Sequence, residues 1–271
     1  VRGPISLPLL RRTWRAQRAR VAIVAASLAV WAFLMPVIYA TFGRQLATLL
    51  DTGIIPDAFL RLLGADPFSL VGAVALGWVH PIGIGLFLLF PVGLGAAAIA
   101  GERQRGTLEV LLSRPLSRRT LFATHLLALV AISALMTLAA LAGTLAGAMA
   151  YGVAGDLDAR SLAFLALNTV LLQAALGAIA LAASASFDRL STPVGISIAV
   201  VMLGYVLEIL GTLWPDAAFL QPFSPFHYLR PLEVLGGRGE PADLVVLAAI
   251  TVVAAAFGLL HFPRRDLAAP S

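Results

Sequence analysis

Residues 72–151 read GAVALGWVHPIGIGLFLLFPVGLGAAAIA, then GERQRGTLEVLLSRPLSRR, then TLFATHLLALVAISALMTLAALAGTLAGAMAY. The outer two strings are apolar and long enough to cross a bilayer, since a helix needs about 20 residues to traverse roughly 30 Å of hydrocarbon. The middle string, residues 101–119, carries Arg103, Arg105, Arg114, Arg118, Arg119, Glu102 and Glu109. Charge of that density costs about 3 kcal/mol per residue in the bilayer centre, so this island stands in water on one side of the membrane. It is the one stretch of the chain built to be gripped by something soluble.

Working outward, 60% of the 271 residues are hydrophobic and 12% charged, a balance that excludes an ordinary soluble domain. The fold class is all-α: a polytopic membrane protein forming a single transmembrane domain over 1–271. Spans are expected at about 21–42, 72–100, 120–151, 161–187, 193–214 and 242–262. Pro81 and Pro91 remove backbone donors inside the second, which predicts kinks there. All nineteen basic residues are arginine. A P-loop needs its lysine on the nucleotide phosphates, so the chain does not itself carry that ATPase site, nor lysine Schiff-base chemistry. The absence of cysteine excludes disulfides, thiolate metal sites and cysteine nucleophiles.

The arginines assign the sides. Arg2, Arg11, Arg12, Arg15, Arg18, Arg20, Arg103, Arg105, Arg114, Arg118, Arg119, Arg189, Arg264 and Arg265 fall on one side; Arg44, Arg61, Arg160, Arg230 and Arg238 fall on the other. Asp51, Asp57, Asp66, Asp156, Asp158, Asp216, Glu233, Glu240 and Asp243 share the arginine-poor side. The positive-inside rule then places the island and both termini in the cytoplasm of a cell carrying this chain in its cytoplasmic membrane. The net charge of +5 is a topology signal, and no nucleic-acid partner is expected.

Residues 1–20 read as an interfacial amphipathic helix and not as a cleavable signal peptide. Leu7, Leu10 and Trp14 share one face, while Arg11, Arg15 and Arg18 line another that suits an anionic leaflet. In the outer loop 43–71, Asp57 to Leu63 reads as a short interfacial helix after Pro56. The loop 215–241 interleaves Pro215, Pro222, Pro225, Pro231 and Pro241 with Phe219, Phe223, Phe226 and Tyr228. That composition suits an aromatic belt first and a lid over an exit path second.

Little in the chain points to catalysis. His80, His125, His227 and His261 show no metal spacing, Asp156 and Asp158 lie in a short loop beside Arg160, and no nucleophile elbow is present. Metal ligands, catalytic residues and a cofactor of its own are therefore not expected. Glu208 stands apart as a possible intramembrane polar site near the outer end of the fifth span. Its preferred reading is a carboxylate reaching outer water or an arginine such as Arg230; a place in a translocation cavity is second.

The island resembles the membrane subunits of type-2 ATP-binding-cassette exporters. The residues carrying the likeness are Glu102, Gly106, Thr107, Leu108, Glu109, Leu111, Leu112, Pro115, Arg118 and Arg119, with weaker matches at Ser224 to Tyr228 and Phe262 to Leu267. The resemblance implies that 102–112 form a short cytoplasmic coupling helix docking in a groove of a separate ATPase. Leu108, Leu111 and Leu112, at i, i+3 and i+4, would supply one apolar face. Arg103, Arg105 and Glu109 would supply polar contacts, Gly106 the bend and Ser117 the cap of the next helix, with Glu102 and Thr107 completing the coupling segment. It further implies a permease dimer, identical or related, enclosing a pathway and driven by two ATPase subunits that bind ATP and Mg.

Three rivals remain at this level. An intramembrane lipid-modifying enzyme would turn over substrate without an ATPase, an ion-coupled transporter would need more intramembrane charge than Glu208, and a scaffold would not alter a partner's ATPase rate. The transported substrate is not written in the sequence. The arginine asymmetry yields a direct test in this cysteine-free chain. A cysteine placed at Asp158 reacts with a membrane-impermeant thiol reagent in intact cells and one at Arg114 only after permeabilisation; the reverse pattern inverts the topology.

Overall fold

The computed structural model of the protein describes residues 3–51, 68–113 and 116–266. Ten α-helices are described: α1 Leu7–Asp51, α2 Leu70–Val79, α3 Pro81–Ala97, α4 Ala100–Gln104, α5 Leu108–Leu112, α6 Arg118–Ala150, α7 Ala159–Ser186, α8 Ser191–Leu213, α9 Pro231–Leu235 and α10 Pro241–Arg264. Short 3-10 turns occupy Ala154–Asp156, Pro215–Phe223 and Pro225–Tyr228.

Five of these helices are long and apolar enough to cross a membrane, and a sixth span results if α2 and α3, bent by 48°, count as one. The expected spans at 120–151, 161–187, 193–214 and 242–262 match α6, α7, α8 and α10 to within about two residues, which is ordinary end fraying. The expected span 72–100 is interrupted. Its break falls at Pro81, where His80 turns into extended backbone and its Nδ1 accepts from the Ile82 amide at 3.2 Å. Pro91, by contrast, is accommodated inside α3.

The expected interfacial helix over 1–20 is not a separate element. One unbroken helix of 45 residues runs from Leu7 through the first apolar run. The cause is local: residues 9–35 contain neither proline nor glycine and are rich in alanine, leucine and arginine, all strong helix formers. The face expected to lie on the membrane does stay open, with Leu7 and Trp14 exposed, while neighbouring Leu9 is buried. The short helix expected after Pro56 lies outside the described residues.

The helix α7 forms the centre, packed against α3, α6, α8 and α10, and α1 lies along α6. Small residues set these distances. A Cβ on Gly143 would strike the Ala29 backbone, one on Gly147 would lie 2.5 Å from the Phe33 carbonyl oxygen, and one on Gly95 would lie 2.5 Å from that of Gly177. In lipid, helix association rests on such close approach and on interhelical hydrogen bonds, because lipid tails are as apolar as the helices. The bonds are present: Trp78 Nε1 donates to Thr169 Oγ1 at 3.0 Å, Gln173 Nε2 to Thr137 Oγ1 at 2.8 Å and Trp31 Nε1 to the Gly77 carbonyl at 2.8 Å.

Adding a methyl group where two backbones touch forces them apart. Gly143→Ala and Gly147→Ala should each lower stability by about 1–3 kcal/mol, seen as a lower unfolding temperature in detergent. Gly93→Ala meets nothing within 4 Å and should leave that temperature unchanged.

Candidate functional site

The charged island leaves the bilayer through a buried hydroxyl. At the end of α3 the helical hydrogen-bond ladder is interrupted, and Ser184 Oγ on α7 accepts from the amides of Ile99 at 3.0 Å and Ala100 at 2.9 Å. Ser184 is fully buried. Two amides left orphaned in this interior would each carry a desolvation penalty of about 1–3 kcal/mol. Its hydroxyl therefore sets where the membrane helix stops and α4 starts.

Residues 102–112 are not one helix, as the resemblance implies, but two short ones joined by a left-handed turn. Gly106 has φ +69°, a conformation that costs other residues about 1–2 kcal/mol. Its amide donates to the Arg103 carbonyl at 2.8 Å, and the Thr107 amide reaches the Glu102 carbonyl at 2.9 Å, closing the end of α4. Glu102 organises the turn. Its carboxylate accepts from Thr107 Oγ1 at 2.5 Å and from Arg105 at 3.2 Å, and meets Arg12 of α1 at 3.4 Å. Burial pushes this carboxyl up, but the Thr107 hydroxyl, Arg12 and Arg105 together outweigh it and hold the group below the ordinary carboxylate value.

The three leucines do not share a free face. Leu108 is 2% exposed and belongs to an inner core with Leu9, Ile99, Leu121, Phe122 and Phe262. The reason is the break at Gly106, which re-aims α5 so that its first residue points back onto α1 and α6. Leu111 and Leu112 are half-buried, while Glu109 and Val110 face outward, Val110 at 62% exposure. Arg103 is likewise turned inward, 2.7 Å from Asp188 in the α7–α8 loop. Arg105 remains exposed.

Asp188 went unnoticed in the sequence, although an acid on the arginine-rich side is itself a signal. It also pairs with Arg265, which donates to the Ala185 carbonyl at 3.2 Å. Arg118 donates to the Phe262 and Pro263 carbonyls at 3.3 and 3.4 Å, a cation on the closing carbonyls of α10. Ser117 caps α6 as expected, accepting from the Thr120 amide at 3.0 Å. The match noted from Phe262 to Leu267 thus marks part of this inner framework, with Leu267 outside the described residues, as are Arg114 and Pro115.

The other singled-out carboxylate, Glu208, sits under a cover at the opposite end. The turn Pro215–Phe223 folds back over α8, close enough that a Cβ on Gly211 would collide with Gln221. Gln221 Nε2 donates to Glu208 Oε1 at 3.1 Å, and His227 Nδ1 lies 3.5 Å from Oε2. Burial and Arg230 hold the His227 imidazole below its ordinary value, against the pull of Asp243 and Glu233. Arg230, offered with outer water as one partner for Glu208, is engaged elsewhere: it grips Asp243 with two bonds at 3.0 and 3.2 Å and pairs with Glu233 and Glu240. The loop aromatics divide, with Phe219 and Phe223 exposed and Phe226 buried against Tyr205. The Glu208 end thus holds a folded cover, and the opposite end an exposed turn pinned on one face.

The family described as ABC-2 family transporter protein matches residues 23–267. The chain belongs to the ABC-2 transporter family. It is accordingly an ABC transporter permease, a multi-pass membrane component of transport and not itself an enzyme, and the family implies ABC ATPase subunits as partners. None of the curated proteins compared with it matches. The match takes in both ends of the ABC-2 permease, the inner turn as well as the outer cover.

Because the folded state lowers the value of Glu102, its contribution to the inner turn is complete above the ordinary value of 4.5 and is lost as pH falls through the lowered one. Exchange of the Thr107 and Leu108 amides, corrected for intrinsic rate, should accelerate several-fold over that acidic range. Glu102→Gln should remove the pH dependence.

Proposed function

We propose that this ABC-2 chain is the membrane subunit of an exporter in the cytoplasmic membrane, working as a dimer of identical or related permeases and driven by two ABC ATPase subunits that hold ATP and Mg. The segment Gln104 to Ser113 is the contact through which they drive it. Supporting this reading is the two-sided build of α5. Leu108 and the paired Arg103 fasten the segment to the permease, while Glu109 and Val110 project into solvent and Leu111 and Leu112 stay half-open. A partner helix groove would cover that outer side and bury Val110. Closure of the ATPase pair around ATP would then displace α5, and Ser184 and Leu108 would pass the displacement to α7 and to the inner ends of α1 and α6.

The docking face in this reading is Glu109, Val110, Leu111 and Leu112, with Arg105 and Thr107 at its edge; Leu108, Glu102, Gly106 and Arg103 position it from within. The roles separate by mutation. Val110→Arg and Leu111→Arg should place an unpaired charge in the contact at a cost of several kcal/mol, reducing ATPase pull-down at least tenfold with the permease still folded. Leu108→Arg should instead lower the unfolding temperature of the isolated permease. Val110→Arg and Leu111→Arg subunits that bind the ATPase and transport like wild type would remove this segment from the interface.

A further inference from the structure

The inner part of α1 and the facing part of α6 leave a cleft of about 320 Å³ whose floor is Ala128, Ala131 and Ile132 and whose rim is Leu10, Arg11, Trp14 and Arg15. We infer that this cleft is a binding site for an anionic phospholipid, its acyl chain on the apolar floor and its phosphate between Arg11 and Arg15.

Charge, depth and shape each point to that occupant. Among the described residues no acid lines the cleft: α1 contains none before Asp51, and α6 contains none between Arg118 and Ala150. Arg12, one position along, is matched by Glu102. Arg11 and Arg15 are exposed and make no hydrogen bond or ion pair with any described residue. Arg11 and Arg15 stand at i and i+4 on one helical face, and each planar guanidinium offers the bidentate fork that suits a phosphate.

The depth follows from where the apolar run begins. Val21 opens it, so Arg11 and Arg15 lie on its polar flank, with the half-exposed Trp14, a side-chain type favoured at membrane interfaces, between them. At the same level the α6 wall is made of small alanines, which leaves room for a chain entering from the bilayer. A free phosphate would use the arginines but not the floor, and a neutral lipid the floor but not the arginines.

The experiment compares both halves of the ligand in the purified full-length permease. Native mass spectrometry should show retention of phosphatidylglycerol over phosphatidylcholine, and phosphatidylglycerol should raise the unfolding temperature where equimolar inorganic phosphate does not. Arg11→Gln and Arg15→Gln should each weaken retention about five-fold, and together about thirty-fold. Ala131→Leu, at an exposed position, should block the floor and reduce retention with both arginines intact. Circular dichroism confirms that each variant is folded. Equal retention of the two lipids, an unfolding shift reproduced by phosphate alone, or folded variants that bind phosphatidylglycerol like wild type would each overturn the assignment.

Discussion

The inner half of this permease depends on one buried hydroxyl. Ser184 lies on the central helix and satisfies the two amides that the end of α3 leaves open. Inside a bilayer a polypeptide cannot expose unpaired backbone groups, so a membrane helix can be broken only where a neighbour supplies the missing partner. That partner fixes both the place and the direction in which the charged segment departs. A second break obeys the same constraint, with the His80 ring taking the Ile82 amide at the bend between α2 and α3.

From Ser184 outward the segment is held by successive pins of different chemistry. Glu102 gathers Thr107, Arg105 and Arg12; Leu108 enters the inner core; Arg103 reaches Asp188, which also holds Arg265. These pins join α1, α6, the α7–α8 loop and the end of α10 to one short turn. A displacement of the turn would therefore be felt at α1, at the α7–α8 loop and at the end of α10. Close-packed interiors shift as units, so movement at one pin is shared among the elements it joins.

Apolar length made most of the fold legible. Four spans and the proline break at Pro81 could be placed because lipid enforces helices wherever about 20 apolar residues run together. The continuity of α1 was hidden, because a basic amphipathic stretch reads as a helix on the surface whether or not it is joined to the next. The orientation of the leucines in the charged segment was not legible. Periodicity puts Leu108, Leu111 and Leu112 on one face only if the helix is unbroken, and the left-handed Gly106 breaks it. The pairing of Arg103 with Asp188 joins residues 85 positions apart, beyond the reach of any local pattern. Glu208 stood out in the sequence as an isolated carboxylate in an apolar helix, whereas its partners Gln221 and His227 come from a loop whose fold-back depends on the absence of a side chain at Gly211.

The account stands on the outward side of α5 being the surface that an ATPase covers. Since the chain has no cysteine, single cysteines at Val110, at Arg189 in the neighbouring inner loop and at Trp214 on the outer side can be paired with cysteines introduced along the ATPase surface, and disulfide formation scored with and without ATP. The account predicts a cross-link at Val110 whose yield changes with ATP, and none at Trp214. Cross-linking at Arg189 with none at Val110 would contradict it.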